Sequence, residues 1–475
     1  MTSILMDGAH FLSKTATGIG SYARTLAATL QESGCHVAVL YGQRVQPRRH
    51  DLPLSLAAQV FGNVPPRGRW RRLIGDAAFV AGAAIGRGAR SSAVCVPVDG
   101  VDLSAFDPPL PQCDLILNAD GVFERAYRLF SLKHRLLEVD VPVACKAAHW
   151  TTPLAVKARG MPNIYTLHDL IPLQFPHFVI DFAGRSVQLH AVIARQADHI
   201  VTDSVASKQR IVELLNVPED RVSVTYTPVP SLPRLAREDA ERLVETVYGA
   251  RPGEYALYLG AVEPRKNLKR LIEAFLLARV NMPLLIAGPL GWLYDEDLAL
   301  IDKVAGHAPD AEQPPVRRLG YLPRRHVVAL LQCARFLVFP SICEGFGLPV
   351  LEAMQLGVPV LTSKTSSLPE VAGQAAILVD PLNVAEMAQE IRRLASDGDL
   401  CAELAARGPA QAARFSREAF QERLAAAYRR VGVEIGSGTT TGEPRPATDG
   451  IRNHREFPVD APTGSQRSPA VATAN

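Results

Sequence analysis

A chain of 475 residues is too long for one ordinary domain and suits two of roughly 200 residues each. Its hydrophobic content of 47%, charged content of 21% and net charge of +3 fit a soluble globular protein and give no global case for a nucleic-acid partner. Seven scattered cysteines, odd in number and without Cys-x-x-Cys spacing, argue against a disulfide frame or a structural zinc and for a reducing compartment.

The first residues have neither the basic start nor the long apolar core of a signal peptide. Ser3 to Met6 reads as a short strand, and Asp7-Gly8 turns it. Gly18-Ile19-Gly20 then leads into a helical pattern with Tyr22, Ala23, Leu26 and Leu30 on one face, and Cys35 to Tyr41 is the next strand. That is one βαβ unit, with two glycines placed to bring backbone close to a phosphate. Residues 44–90 differ: arginines, among them Arg67, Arg69, Arg71 and Arg72, are interleaved with Trp70, Leu73 and Phe79. The segment is either a solvated insertion or a patch facing an anionic membrane. Its mildest apolar run, Ala77 to Ile85, is about half of a membrane span. The expected location is therefore the cytoplasm, and on the second of these alternatives the inner face of the membrane, in peripheral contact through this segment.

Leu115 to Asn118 reads as a strand, Arg125 to Glu138 as a helix and Val141 to His149 as a strand. Asn163 to Leu167 is a strand ending in His168-Asp169, and Ser186 to Gln196 a helix. Ala197 to Asp203 then runs as a strand into Ser204 and a helix to Leu214. Such alternation predicts a parallel sheet covered on both faces. Pro228, Pro230 and Pro233 mark a linker. The expected division is an N-terminal domain over 1–227, a linker over 228–252, a second domain over 253–415, a helix over 416–435 that crosses back, and a disordered tail over 436–475.

In the second half, the strand Tyr255 to Leu259 is followed by Gly260-Ala-Val-Glu-Pro-Arg265-Lys266-Asn267 and a helix. Phe336 to Phe339 is a short apolar run suited to a strand buried on both faces, after which come Cys343-Glu344-Gly-Phe-Gly347 and a helix that Pro349 can start. Amides at the start of such a helix, with its dipole behind them, form an anion site, and Arg265 and Lys266 add two cations beside it. The combination suits a diphosphate. No nucleophile with an evident base partner stands nearby, so the chemistry that remains is stabilisation of a leaving group.

Glu344 and Glu352 with their spacing, Gly345-Phe-Gly347, Pro349 and the following Gly357-Val-Pro-Val360 together resemble the retaining glycosyltransferases of family 4, over about residues 3 to 431. The resemblance implies a GT-B fold, an α/β class with two Rossmann-like doubly wound domains facing across a cleft. It implies that Arg265 and Lys266 bind the donor diphosphate and that Glu344 holds sugar hydroxyls. Glu352 would hold the ribose, and the amides of Phe346, Gly347 and Leu348 would meet sugar and phosphate. Gly18 and Gly20 fall on the N-domain glycine loop, and His168 falls near the reacting carbon. His149 and Ser204 stand at family-like places, and backbone near Leu319 and Tyr321 would hold the base. Ala261 departs from the arginine that many members carry there. The Glu-Pro-Arg-Lys-Asn variant is similar to a bacterial subgroup that includes mannosyltransferases using GDP-mannose.

The expected activity is thus retaining transfer of a sugar, mannose from GDP-mannose, to a glycan or lipid-linked glycan in surface polysaccharide assembly, with no metal and no other cofactor. Asp295-Glu-Asp297 matches a metal-holding Asp-x-Asp pattern, but acids at a helix start have an adequate explanation in the helix dipole. The rivals are a sugar-nucleotide epimerase of similar fold and a non-catalytic nucleotide-sugar-binding protein. A dehydrogenase fits poorly, because Gly18-Ile-Gly20 is not completed by a third glycine.

Overall fold

The computed structural model describes residues 2–12, 18–45, 60, 90–97, 111, 113–178, 183–229, 232–306 and 314–436. Most of the basic 44–90 segment, Pro230 of the linker and the 437–475 tail lie outside the described residues.

Two parallel sheets organise the chain. The first runs, edge to edge, Val222–Val224, His199–Thr202, Asn163–Thr166, Ala147–Trp150, Ser3–Asp7, His36–Tyr41, Leu115–Asn118 and Val94–Cys95, with only the last pair antiparallel. The second runs Val316–Gly320, Leu284–Ala287, Ala256–Leu259, Phe336–Phe339, Val360–Ser363 and Ile377–Val379, parallel throughout. The central strands are apolar on both faces because helices cover both: Ile4, Leu5 and Met6, and likewise Phe336 to Phe339, are fully buried. Two Rossmann-like halves in one chain make the fold GT-B, an α/β architecture. Each sheet reverses its strand order once, beside Ser3–Asp7 in the first and between Ala256–Leu259 and Phe336–Phe339 in the second. Ligands collect at such points, beyond the carboxyl ends of the strands.

The last described helix, Arg417–Arg429, leaves the second half and completes the core of the first. Its Phe420, Leu424 and Tyr428 share a buried cluster with Ile4, Tyr22 and Leu26.

Several elements depart from the sequence reading. The helix expected over 125–138 is Val122–Lys133, closed by His134 at φ 51°, and Leu137–Asp140 is a strand of a small separate sheet with Arg90–Ser92 and Val156–Ala158. The strand expected over 141–149 begins only at Ala147. Gly18 and Gly20 lie in the first turn of the helix Gly18–Glu32 and not in a loop ahead of it. The helices Arg324–Gln332 and Gly398–Ala413 were not anticipated. The second contains Gly408-Pro409, which reads as a break. The glycine is there for packing, since a Cβ on it would lie 2.9 Å from the Met354 carbonyl of the neighbouring helix.

Glu370, on the short helix Leu368–Ala372 of the second half, reaches across the cleft. Its carboxylate accepts from the amides of Val205 and Ala206 at 2.9 and 3.0 Å and from the Tyr226 hydroxyl at 3.2 Å. Those two amides start the helix Val205–Leu215, where a negative charge is favoured by about 0.3–1 kcal/mol. Glu370→Ala should therefore raise hydrogen exchange at Val205 and Ala206 while leaving the interior of each sheet protected. Unchanged exchange there would show that the bridge does not hold the halves together.

Candidate active site

At the reversal point of the second sheet, two loops are joined by one buried carboxylate. Glu344 is 8% exposed. Its Oε2 accepts from Arg265 Nη1 at 2.5 Å and its Oε1 from Lys266 Nζ at 2.6 Å. Arg265 also pairs with Glu263 at 2.5 Å, and Lys266 Nζ lies 4.6 Å from the Phe339 ring centre. Burial alone would push the Glu344 carboxyl up; the charges of Arg265 and Lys266 overcome it and hold the group at about 2. The cations expected to face a diphosphate are thus matched by two carboxylates, and the cluster is close to neutral before any ligand arrives.

The local sequence explains the geometry. The turn Pro264–Lys266 is fixed by Asn267, at φ 63°, whose side-chain amide donates to the carbonyls of Pro340 and Pro381. Ser366 and Ser367 hold the other loop, both donating to the Glu344 carbonyl, and Ser367 also to that of Phe346. Gly347 caps the helix Leu348–Gln355 at φ 130°, and a Cβ on it would lie 2.8 Å from Leu368 Cδ2. Gly345 permits a close approach of the halves: a Cβ there would meet the His168 carbonyl at 3.0 Å and Asp169 Oδ2 at 3.1 Å. In the first turn of Leu348–Gln355, Pro349 has no N–H and the Val350 amide donates to the Gly347 carbonyl at 3.0 Å, which leaves the Leu348 amide, with the helix dipole behind it, at the cleft. The Phe346 side chain turns away from it, packing edge-on against Phe415 with ring centres 5.5 Å apart.

Glu352 is held by a residue the sequence reading missed. Arg324 Nη2 lies 2.7 Å from Glu352 Oε1, with Arg324 half exposed and Glu352 nearly buried. An arginine in the first turn of a helix that was not anticipated gave no signal. Leu319 is partly buried on the core, Tyr321 is 67% exposed, and between them the Gly320 carbonyl accepts from the Gly288 amide.

On the opposite wall, His168 presents Nδ1 to Asp203 Oδ2 at 2.6 Å and Nε2 to the Thr151 carbonyl at 3.0 Å. Thr151 in turn donates its amide and hydroxyl to Asp7. Burial raises the Asp7 carboxyl despite those bonds. Asp7, Asp203 and Thr151 were also absent from the sequence reading of the site. Gly18 is exposed at the same end of its sheet and Gly20 is buried.

Two candidates do not reach the cleft. His149 is fully buried between the Tyr428 and Thr166 hydroxyls, each 2.9 Å from a ring nitrogen, and burial lowers its pKa to about 3. It is a neutral core histidine that ties the crossing helix to the sheet. Ser204 is buried as the N-cap of Val205–Leu215, accepting from the Ser207 amide at 3.0 Å. Asp295 is exposed whereas Asp297 is buried, so the two acids of the Asp-x-Asp pattern do not share one face.

Residues 250–411 match the family model described as glycosyl transferases group 1, and residues 104–231 match that of glycosyltransferase family 4. The chain is 38% identical over 262 residues to O-antigen chain mannosyltransferase B of Escherichia coli, covering 54% of this chain and 67% of that one. It is 30% identical over 273 residues to the Escherichia coli serotype-specific mannosyltransferase WbdA, covering 55% of this chain and 33% of that protein, of which it thus spans about a third. Among solved structures, sucrose-phosphate synthase from Thermosynechococcus elongatus superposes with a TM-score of 0.59 at 17% identity, over 91% of this chain and 99% of that one. WaaG, a glycosyltransferase involved in lipopolysaccharide biosynthesis, gives 0.51 at 15%, over 91% and 100%. At these identities the structural likeness shows the fold.

The depressed Glu344 carboxyl sets an acid limit. Its contribution to stability is full above its unfolded value of 4.5 and is lost as pH falls through about 2. The melting-temperature gap between the native chain and Glu344→Gln should be widest near neutral pH and close over that window. A gap that does not vary with pH would mean that the carboxylate is not held by these cations.

Proposed function

The chain belongs to the glycosyltransferases of family 4, and we propose that it transfers mannose from GDP-mannose, with retention, to a glycan or lipid-linked glycan in surface polysaccharide assembly. The observation that carries the reading is the union of Arg265, Lys266 and Glu344 with a helix N-terminus at the reversal point of the second sheet. The mannosyltransferase relatives support the sugar.

In this reading the donor diphosphate lies against the amides of Phe346, Gly347 and Leu348 at the start of the helix and takes up N–H groups of Lys266 and Arg265 that Glu344 does not occupy. Charge builds on the diphosphate as the glycosidic bond breaks, and these fixed donors meet it without reorganising. Glu344 orients the cations and offers its remaining acceptor capacity to sugar hydroxyls. Glu352, steered by Arg324, takes the ribose. In this reading no carboxylate of the matched motifs acts as a base on the acceptor. The departing phosphate takes the acceptor's proton on the face it leaves, so an α-linked donor gives an α-linked product. The protein's own cations do the work a metal does elsewhere, and activity should survive EDTA.

Two measurements test this. Lys266→Ala should weaken GDP binding in calorimetry by about tenfold or more, a charge-assisted phosphate contact being worth about 1.5–3 kcal/mol; unchanged affinity would remove the diphosphate assignment. Among a panel of nucleotide sugars, GDP-mannose should be turned over, and NMR of the product's anomeric centre should show an α linkage. A β linkage would mean inversion, and turnover without transfer to any acceptor would favour an epimerase.

A further inference from the structure

His168 faces an acceptor on each side of its ring. Nε2 meets the Thr151 carbonyl, which can only accept, so Nε2 carries a proton. Nδ1 meets Asp203 Oδ2 at 2.6 Å. Asp203 is 5% exposed, and its Oδ1 is buried without a hydrogen-bond partner among the described residues. A carboxylate oxygen at that distance requires a donor, so Nδ1 carries a proton as well, and a carboxylate so enclosed, with one oxygen unsatisfied, is best compensated by a charged partner. We infer that Asp203 is a positioning residue: it keeps His168 as an imidazolium with both N–H groups occupied, so that His168 is a charged strut of the cleft wall and neither acid nor base.

The surroundings agree. Tyr22 meets the ring edge-on with centres 4.8 Å apart, and its hydroxyl is bonded to Thr166 and kept neutral by burial. Asp169 adds negative charge from the following residue, His149 on the neighbouring strand is neutral, and Asp7 stands behind Thr151. Burial works against the charged ring; Asp203, then Asp169 and the Thr151 carbonyl, outweigh it and raise the imidazole above its ordinary value. A group raised in this way contributes stability that is full below about 6.5 and lost as pH rises through its folded value. The strut also has a geometric purpose. Asp7, Thr151, His168 and Asp203 follow four adjacent strands, so the chain of bonds through them ties four strand ends together beneath the His168 carbonyl, against which Gly345 closes. The site of the reacting sugar is taken from the proposed function; the protonation of the ring does not depend on it.

The test uses the full chain with isotope-labelled histidine. The His168 nitrogen signals are assigned by their loss in His168→Gln. At about pH 8 both nitrogens of the native ring should be protonated, the ring should turn neutral in Asp203→Asn, and Asp203→Glu should restore the charge. In turnover of GDP-mannose, the native rate should be flat between about pH 6 and 8, whereas Asp203→Asn should lose about tenfold in kcat over that range with little change in KM. An unprotonated Nδ1 in the native protein at about pH 8 overturns the inference, as does a ring that stays charged in Asp203→Asn. If GDP-mannose is not turned over, the proposed donor is wrong, and the nitrogen signals of the native protein still decide this question.

Discussion

The site depends on a single buried carboxylate. Glu344 lies between a guanidinium and an ammonium, each within 2.6 Å, and so joins the loops that follow two adjacent strands. Without it, two cations would face each other in a partly desolvated space, with Glu263 on Arg265 left to offset them. With it, Arg265 and Lys266 are oriented in advance, Arg265 being held further by Glu263 and the Cys343 carbonyl. This is the organisation expected of a site that must meet charge as it develops: donors fixed before the reaction begins, in surroundings that water does not relax.

Near-neutrality of this cluster changes how donor binding should be understood. Bare cations would bind any polyanion tightly and would stabilise the ground state as well as the leaving group, which gains nothing in rate. Here Glu263 and Glu344 offset Arg265 and Lys266. On the proposed function, the attraction for a diphosphate would therefore be moderate at rest and grow as the phosphate acquires charge.

Much of this was legible in the sequence, because the site is written in local terms. Gly345, Gly347 and Pro349 prescribe a strand-loop-helix turn, and Arg265-Lys266-Asn267 follows an apolar strand closely enough to place the cations at the sheet edge. What stayed hidden depends on contacts distant in the chain. Arg324 meets Glu352 only because a helix unremarkable in sequence ends up beside another. Asp7 and Asp203 sit at the ends of strands far apart in sequence, and only the sheet order brings them to the same wall. His149 misled for the same reason: at a strand end it looks available, but the crossing helix covers it and supplies Tyr428 as its partner. The helix Gly398–Ala413 stayed hidden through packing, since it continues past Gly408-Pro409, a pair that would end it in isolation.

Among the described residues the halves meet through polar bonds and through Tyr226, whose ring centre lies 6.0 Å from that of Phe346 and 5.1 Å from that of Phe415, and this bears on how a substrate enters. Beside the Glu370 bridge, Ser207 Oγ lies 3.1 Å from the His168 carbonyl and 3.4 Å from that of Gly345, and the Trp292 indole donates to the Phe178 carbonyl at 2.5 Å. Each such bond contributes about 0.5–1.5 kcal/mol net, because water replaces it on separation. The large apolar clusters fall within one half or the other, and the crossing helix adds its apolar face to the first. Opening the cleft therefore leaves these buried clusters in place, while the covalent linker and the crossing helix preserve the register for closing. A donor bound on Arg265 and Lys266 with its sugar beneath the His168 carbonyl would add contacts to both walls that neither half makes alone. On this argument the energy for closure comes chiefly from the substrate, and the protein contributes the geometry to which it closes.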